Sequence, residues 1–236
     1  MKNFASVYRN ALLSCLLAAS TLLTGCISAP QLPVPLTQSA LAPNSGKVGV
    51  AMAVLPKVET SYPGAGCLLC YAAAAAANAS LSSHADTLKP DDFNTLKEEV
   101  AAVLKARGVD VVIVPAVLAI KDLPSFSAEG NFARKDFASL KQKLGVDRLV
   151  VINITELGFI RTYANYFPTS DPKAYVVGQS FLVNLSNNAL DWYTPLDLQK
   201  GSDSKWDEPP KFPGLTNAYY QVVELTKDAI LKPLKK

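Results

Sequence analysis

KLGVDRLVVINITELG, residues 143–158, and QSFLVNLSNNALDWYT, residues 179–194, decide the fold. In the first stretch Gly145 ends a helical stripe, and Arg148–Thr155 (RLVVINIT) follows as a β-branched apolar run of strand length. In the second, the run Ala174–Leu185 meets the turn residues Ser186, Asn187 and Asn188 and continues into Ala189–Thr194, the pattern of an antiparallel hairpin. Tyr175, Val177, Phe181, Val183 and Leu185 fall on one face of that strand, with Ser180 and Asn184 on the other. This alternation predicts a half-buried pair with one wet face.

Working outward, Asp136 is read as a cap for a helix whose stripe is Phe137, Leu140 and Leu144. Before it, Val109–Val114 reads as a buried strand ending at Pro115. Asp91 and Asp92 after Pro90 open a helix with Phe93, Leu96, Val100, Val103 and Leu104 on one side, stopping at Gly108. Lys47–Leu55, between Gly46 and Pro56, reads as a first strand buried on both faces. At the other end Leu215, Ala218, Tyr219, Val222, Leu225 and Ala229 give Leu215–Leu231 a helical stripe. The order predicts an α/β (α+β) domain: a single mixed β-sheet packed by about three to four helices.

The N-terminus has a different character. Lys2 and Arg9 precede the short apolar stretch Ala11–Leu23, which has the layout of a secretory leader and is too short to read as a spanning helix. It closes on Leu23-Thr24-Gly25-Cys26, which resembles the lipobox of bacterial lipoproteins. That resemblance implies a leader over 1–25, diacylglycerol and palmitate on Cys26, and, with Ile27 rather than Asp next, an outer-membrane address with the domain facing the periplasm. Residues 29–46, APQLPVPLTQSALAPNSG, carry four prolines and no charge, so 26–46 is expected to be a lipidated, semi-extended linker and 47–236 the periplasmic domain. The leader holds two of the 23 Lys and Arg and none of the 20 Asp and Glu, which leaves 21 against 20. A chain so nearly neutral has no nucleic-acid footprint.

Residues 143–158 and 179–194 together, a short helix, Leu-Gly-x-Asp, a strand ending in a polar pair, then strand–turn–strand, are similar to the periplasmic lipoprotein domains of the curli-secretion-channel (CsgG) family. The same domain shape occurs in outer-membrane lipoprotein activators of penicillin-binding proteins and in the N-terminal domain of TolB-like proteins. The resemblance covers roughly 47–231. It implies an envelope domain with no catalytic residues to carry over. The chain departs from the pattern in its cysteine–alanine segment and in a Pro- and Trp-rich stretch near the end.

The segment GAGCLLCYAAAAAANAS, residues 64–80, contains the two cysteines left to a periplasmic domain, Cys67 and Cys70. A thioredoxin-like couple wants polar or cationic neighbours that lower a thiol pKa. Here Leu68 and Leu69 intervene, Tyr71 follows, and no Lys, Arg or His lies between Lys57 and His84. Haem attachment would need His at position 71, and a zinc site needs about four ligands. The pair therefore reads as structural, a disulfide or two buried thiols. Leu68–Ala79 is too short to cross a bilayer; it reads as a core helix, with an apolar contact to a partner or membrane as the alternative. His84, in SSHAD, reads as a solvated loop residue, and no G-x-S-x-G elbow is present.

Two segments have the composition of recognition surface: Phe159–Tyr175, with Arg161, Tyr163, Tyr166 and Phe167, and Trp192–Pro213, with Trp192, Tyr193, Trp206 and Phe212 among prolines. The expected function is a non-enzymatic binding and assembly factor of the cell envelope. It would be attached to the membrane by its lipid anchor, associate with other envelope proteins or with copies of itself, and need no cofactor or metal. The alternative is a periplasmic thiol-redox or other envelope enzyme using Cys67 and Cys70.

Overall fold

The computed structural model describes residues 30–235. The lipobox and its Cys26 lie outside the described residues. The strands are β1 (Val48–Met52), β2 (Glu59–Ser61), β3 (Val111–Ile113), β4 (Arg148–Ile160), β5 (Tyr163–Ala164), β6 (Phe167–Pro168), β7 (Lys173–Asn184) and β8 (Leu190–Gly201). The α-helices are α1 (Leu68–Ala77), α2 (Ala79–Ala85), α3 (Leu96–Ala106), α4 (Leu140–Leu144) and α5 (Pro213–Leu231). One mixed sheet runs in the order β3-β1-β4-β7-β8, and β2 adds to the far half of β4. Pairing is parallel among β1, β2, β3 and β4 and antiparallel from β4 to β7 to β8. The expected fold class, a mixed sheet packed by helices, is the observed one.

β4 organises the molecule. Its run of β-branched residues suits a strand covered on both faces, and period-two alternation deals them to opposite sides. Val150, Ile152 and Ile154 join the core under α3 and α5, while Leu149 and Val151 join a second core with Phe137, Leu140 and Phe181. Between Ile154 and Glu156 the pairing with β7 slips by one residue. The bulge inverts the parity, so Leu157 and Phe159 continue on the α3–α5 face where an unbroken strand would have turned them away. β4 thus extends well past Thr155, the expected end.

Other expectations are corrected by what covers each strand. β7 is not half-wet: Val176 and Leu182 are buried on the α5 side, and Phe181 and Val183 on the other. The second cover is the irregular stretch from Val114 to Val146, of which only the Phe137–Leu144 stripe around α4 shows a period in the sequence. β3, read as a buried strand, is a half-buried strand at the edge of the sheet. Leu225, read into the buried stripe of α5, is exposed, whereas Val223 and Thr226 are buried. Asp136 accepts from Ala138 N–H at 2.9 Å and so caps the turn before α4 rather than the helix itself. Gly145 ends α4 in the left-handed conformation, as its position suggests.

The proline-rich segment is not a free linker up to residue 46. Val34 pairs with Tyr193 on the outer edge of β8, and Ala40 and Leu41 are buried in the main core. A compact unit begins at Leu32. Extended, proline-compatible backbone suits an added edge strand, because half of its N–H groups face away from the partner.

Candidate interaction surface

Beyond the C-terminal end of β4 lies a small structure of its own. β2 runs alongside Gly158–Ile160, and its chain then follows the β5–β6 hairpin: Tyr163 N–H donates to Pro63 O at 2.8 Å and Asn165 N–H to Gly64 O at 3.0 Å. This leads into α1, whose alanines and leucines have high helix propensity. Cys67 is the N-cap; its Sγ accepts the Cys70 N–H at 2.9 Å and is bonded to Cys70 Sγ in a disulfide. The Tyr166 hydroxyl lies 3.7 Å from Cys67 Sγ, tying the hairpin turn to the helix start.

The support beneath is polar and fully engaged. Asn78, buried at the end of α1, donates through Nδ2 to Ala74 O and to Tyr163 Oη, both at 2.7 Å, and its Oδ1 accepts from Arg161 Nη1 at 3.1 Å. Arg161 also donates to Ser170 O at 3.1 Å and lies 4.8 Å over the Trp206 ring. Tyr62 packs edge-on against Tyr71 and Tyr163 over a small core of Ala65, Cys70 and Ala74. Such a satisfied network fixes one arrangement of helix and hairpin.

The outer surface is apolar. Only Cys70 and Ala74 of α1 are buried, so the alanine run is not a core helix. Leu68 is 86% and Leu69 70% exposed, and Phe167 on the hairpin is 73% exposed, with Tyr71 and Tyr166 half-exposed beside them. Each such leucine or phenylalanine left in water forgoes about 1.5–3 kcal/mol of burial. A cluster of this kind on a rigid support is the usual mark of a contact surface.

The aromatic residues singled out in the sequence divide sharply. Tyr166 and Phe167 lie on this surface. Tyr163 is buried in its support, Trp192 is 2% exposed in the main core, Phe212 is buried where it precedes α5, and Trp206 is half-buried under Arg161. The reading of Tyr163, Trp192 and Phe212 as partner surface is therefore corrected. β8 continues to Gly201, so the first part of the Trp192–Pro213 segment is strand, with Leu196 in the core. His84 is corrected too: it lies on α2 between the Phe159 and Phe212 rings, with Nε2 2.7 Å from Thr216 Oγ1, and burial lowers its pKa. The exposure of Leu68 and Leu69 favours the alternative reading of Leu68–Ala79, an apolar contact surface, over the core helix; the bracing role of Asn78 has no signal in the sequence.

A cleft of about 340 Å³ adjoins α1, lined by Tyr71, Lys57, Glu59, Glu156 and Tyr175 among others. Tyr175 donates to Glu156 at 3.3 Å, and its pKa is pushed up to about 12, first by burial and then by that carboxylate. It stays a phenol at neutral pH. Among the described residues no group of three His, Cys, Asp or Glu is placed to hold a metal, and no helix is long and apolar enough to cross a membrane.

No family model and no curated protein sequence matches the chain. Among solved structures, a PelC dodecamer from Paraburkholderia phytofirmans is similar at 15% identity over 86% of this chain and 95% of that one, with a TM-score of 0.40. Protein XCC0632 of Xanthomonas campestris, family DUF330, follows at 12% identity, 87% and 92% coverage and 0.38. Lipoprotein GNA1162 of Neisseria meningitidis shares 16% identity over 76% and 98%, with 0.30. Overlaps this loose assign the chain to none of these groups.

Proposed function

We propose that the protein is a non-enzymatic binding and assembly factor of the bacterial envelope, held at the outer membrane by acyl chains on Cys26 and working through the apolar face of α1 and the β5–β6 hairpin. The lipobox-like Leu23–Cys26 and the resemblance to curli-secretion-channel-type lipoprotein domains support the address. The observation that carries the binding role is the exposed cluster Leu68, Leu69 and Phe167 on a support locked by Asn78 and Arg161. Radical footprinting tests it. In isolated outer membranes Tyr166 and Phe167 are expected to oxidise several-fold more slowly than in the purified chain, while Tyr220, exposed on α5, is unchanged. Equal rates for Phe167 in both preparations would remove the reading.

A second reading has one observation of its own: Cys67 is exposed at the N-terminus of α1 with Cys70 buried behind it, an arrangement that suits thiol exchange. Cys67→Ser with Cys70→Ser separates the two. A structural pair closing so short a loop contributes at or below about 2 kcal/mol. The double variant is therefore expected to show faster amide exchange in the first turn of α1, a small fall in melting temperature and unchanged footprinting protection. Envelope substrates trapped as mixed disulfides by Cys70→Ser alone would establish the redox role instead.

A further inference from the structure

We infer that the α1–hairpin face is seated in the lipid leaflet that carries the Cys26 anchor, so that the domain is held at two points and has a fixed orientation on the membrane. The inference rests on the binding reading above and names the occupant of the same face.

The first argument is the direction of the entering chain. Thr37 N–H donates to Asp191 O, while Val34 and Tyr193 exchange both backbone hydrogen bonds in antiparallel register. Traced backwards, the chain therefore climbs β8 toward Gly201. Gly201 pairs with Lys173, and Lys173 with Ile160. This is the end of the sheet from which β2 leads to α1 and β4 to the hairpin. The described entering segment, Val34–Thr37, thus runs from the side of the apolar face toward the opposite end of the sheet, where β1 and β4 begin.

The second argument is reach. Val34 is eight residue steps from Cys26, about 26 Å of extended chain. From Tyr193 to Gly201 is also eight residues of strand, again about 26 Å. An anchor on Cys26 can therefore draw that end of the sheet onto the bilayer surface without unpairing Val34.

The third is chemistry. No Asp, Glu, Lys or Arg occurs from Thr60 to Ser83, or from Thr162 to Ser170. Seating Leu68, Leu69 and Phe167 in lipid therefore desolvates no charge of these two segments, and Lys57, Glu59 and Glu156 in the cleft beside Tyr71 set how deep the tip can go. Leu68, Leu69 and Phe167 supply apolar surface, and Tyr71 and Tyr166 are the amphipathic rings that favour the headgroup level. At ten residues α1 is about 15 Å long, so it can lie in the interface but not cross it.

Phe167→Trp in the full chain reports on this directly. The protein is extracted from membranes with its anchor and reconstituted into phosphatidylethanolamine–phosphatidylglycerol vesicles, with or without acyl-brominated lipid. Wild-type protein supplies the baseline for Trp192 and Trp206. The added emission is expected to be blue-shifted and to fall about twofold with brominated lipid, as for a side chain at the acyl boundary. Adding Leu69→Glu should restore most of it. A blue-shifted signal that ignores bromine and is lost on dilution would mean that a second protein copy covers the face; that overturns the lipid assignment and leaves the binding reading standing. A red-shifted, unquenched signal overturns both. Recovery of the wild-type chain in the aqueous fraction, without an anchor, also overturns it.

Discussion

Gly158→Ala is expected to destabilise the protein by about 3 kcal/mol or more and to detach β2 and α1 from the sheet. Gly158 sits in β4 at φ +142°, a conformation side chains rarely adopt, and a Cβ there would run into the Glu59 backbone of the neighbouring strand. Strain of this kind costs about 1–3 kcal/mol by itself. Relief requires β2 to move, which breaks the parallel pairing of Glu59–Ser61 with Gly158–Ile160. β2 leads directly into the chain that carries α1, so the interaction surface should loosen before the sheet does. Urea titration measures the loss, and hydrogen exchange should show residues 59–78 opening ahead of β4 and β7. A change below about 1 kcal/mol would show that β2 yields freely, and the surface would then not be rigidly supported.

Asn188→Ala should cost about as much at the opposite end of the sheet. Asn188 closes the β7–β8 turn at φ 64°, and its buried side chain clamps the irregular cover of the second core. Its Nδ2 donates to Ala133 O at 3.2 Å and Lys135 O at 2.8 Å, and its Oδ1 accepts the Phe137 N–H at 3.0 Å. Each of these bonds contributes about 0.5–1.5 kcal/mol net, and a left-handed alanine adds about 1–2. The expected sum is about 2.5–6.5 kcal/mol, read as a lower urea midpoint with unchanged slope. Asn188→Gly removes only the side-chain bonds and should recover about 1 kcal/mol of the loss. Equal stability of Asn188→Ala and wild type would mean that the 133–137 segment is held by its apolar contacts alone.

The turn itself was legible: three polar residues between two β-rich runs mark a hairpin whatever surrounds it. The clamp was not, because its partners are more than fifty residues away in the chain and have no periodicity. The same division holds at the candidate surface. GCLLCYAAAAAANA announces a helix by propensity, but an all-apolar run cannot say whether the rest of the fold will cover it.

What the sequence by itself determined is whatever depends on neighbours along the chain: the strands at 148–155 and 174–185, the helix ends at Gly145 and Gly108, the hairpin and the layered class that follows from their order. Only the tertiary structure decided which faces are wet. Trp192 and Phe212 went inside because β8 and α5 bring them under the same core, and Leu196 followed because the strand runs on to Gly201. Leu68 and Leu69 stayed outside because α1 hangs past the end of the sheet, where Tyr62, Ala65 and Tyr163 cover its Cys70–Ala74 side. Burial is a property of what packs against a residue, and that is set by chain distant in sequence. The orientation of the entering segment along β8 is of the same kind: proline content gives an extended backbone, but the register Val34–Tyr193 alone gives its direction.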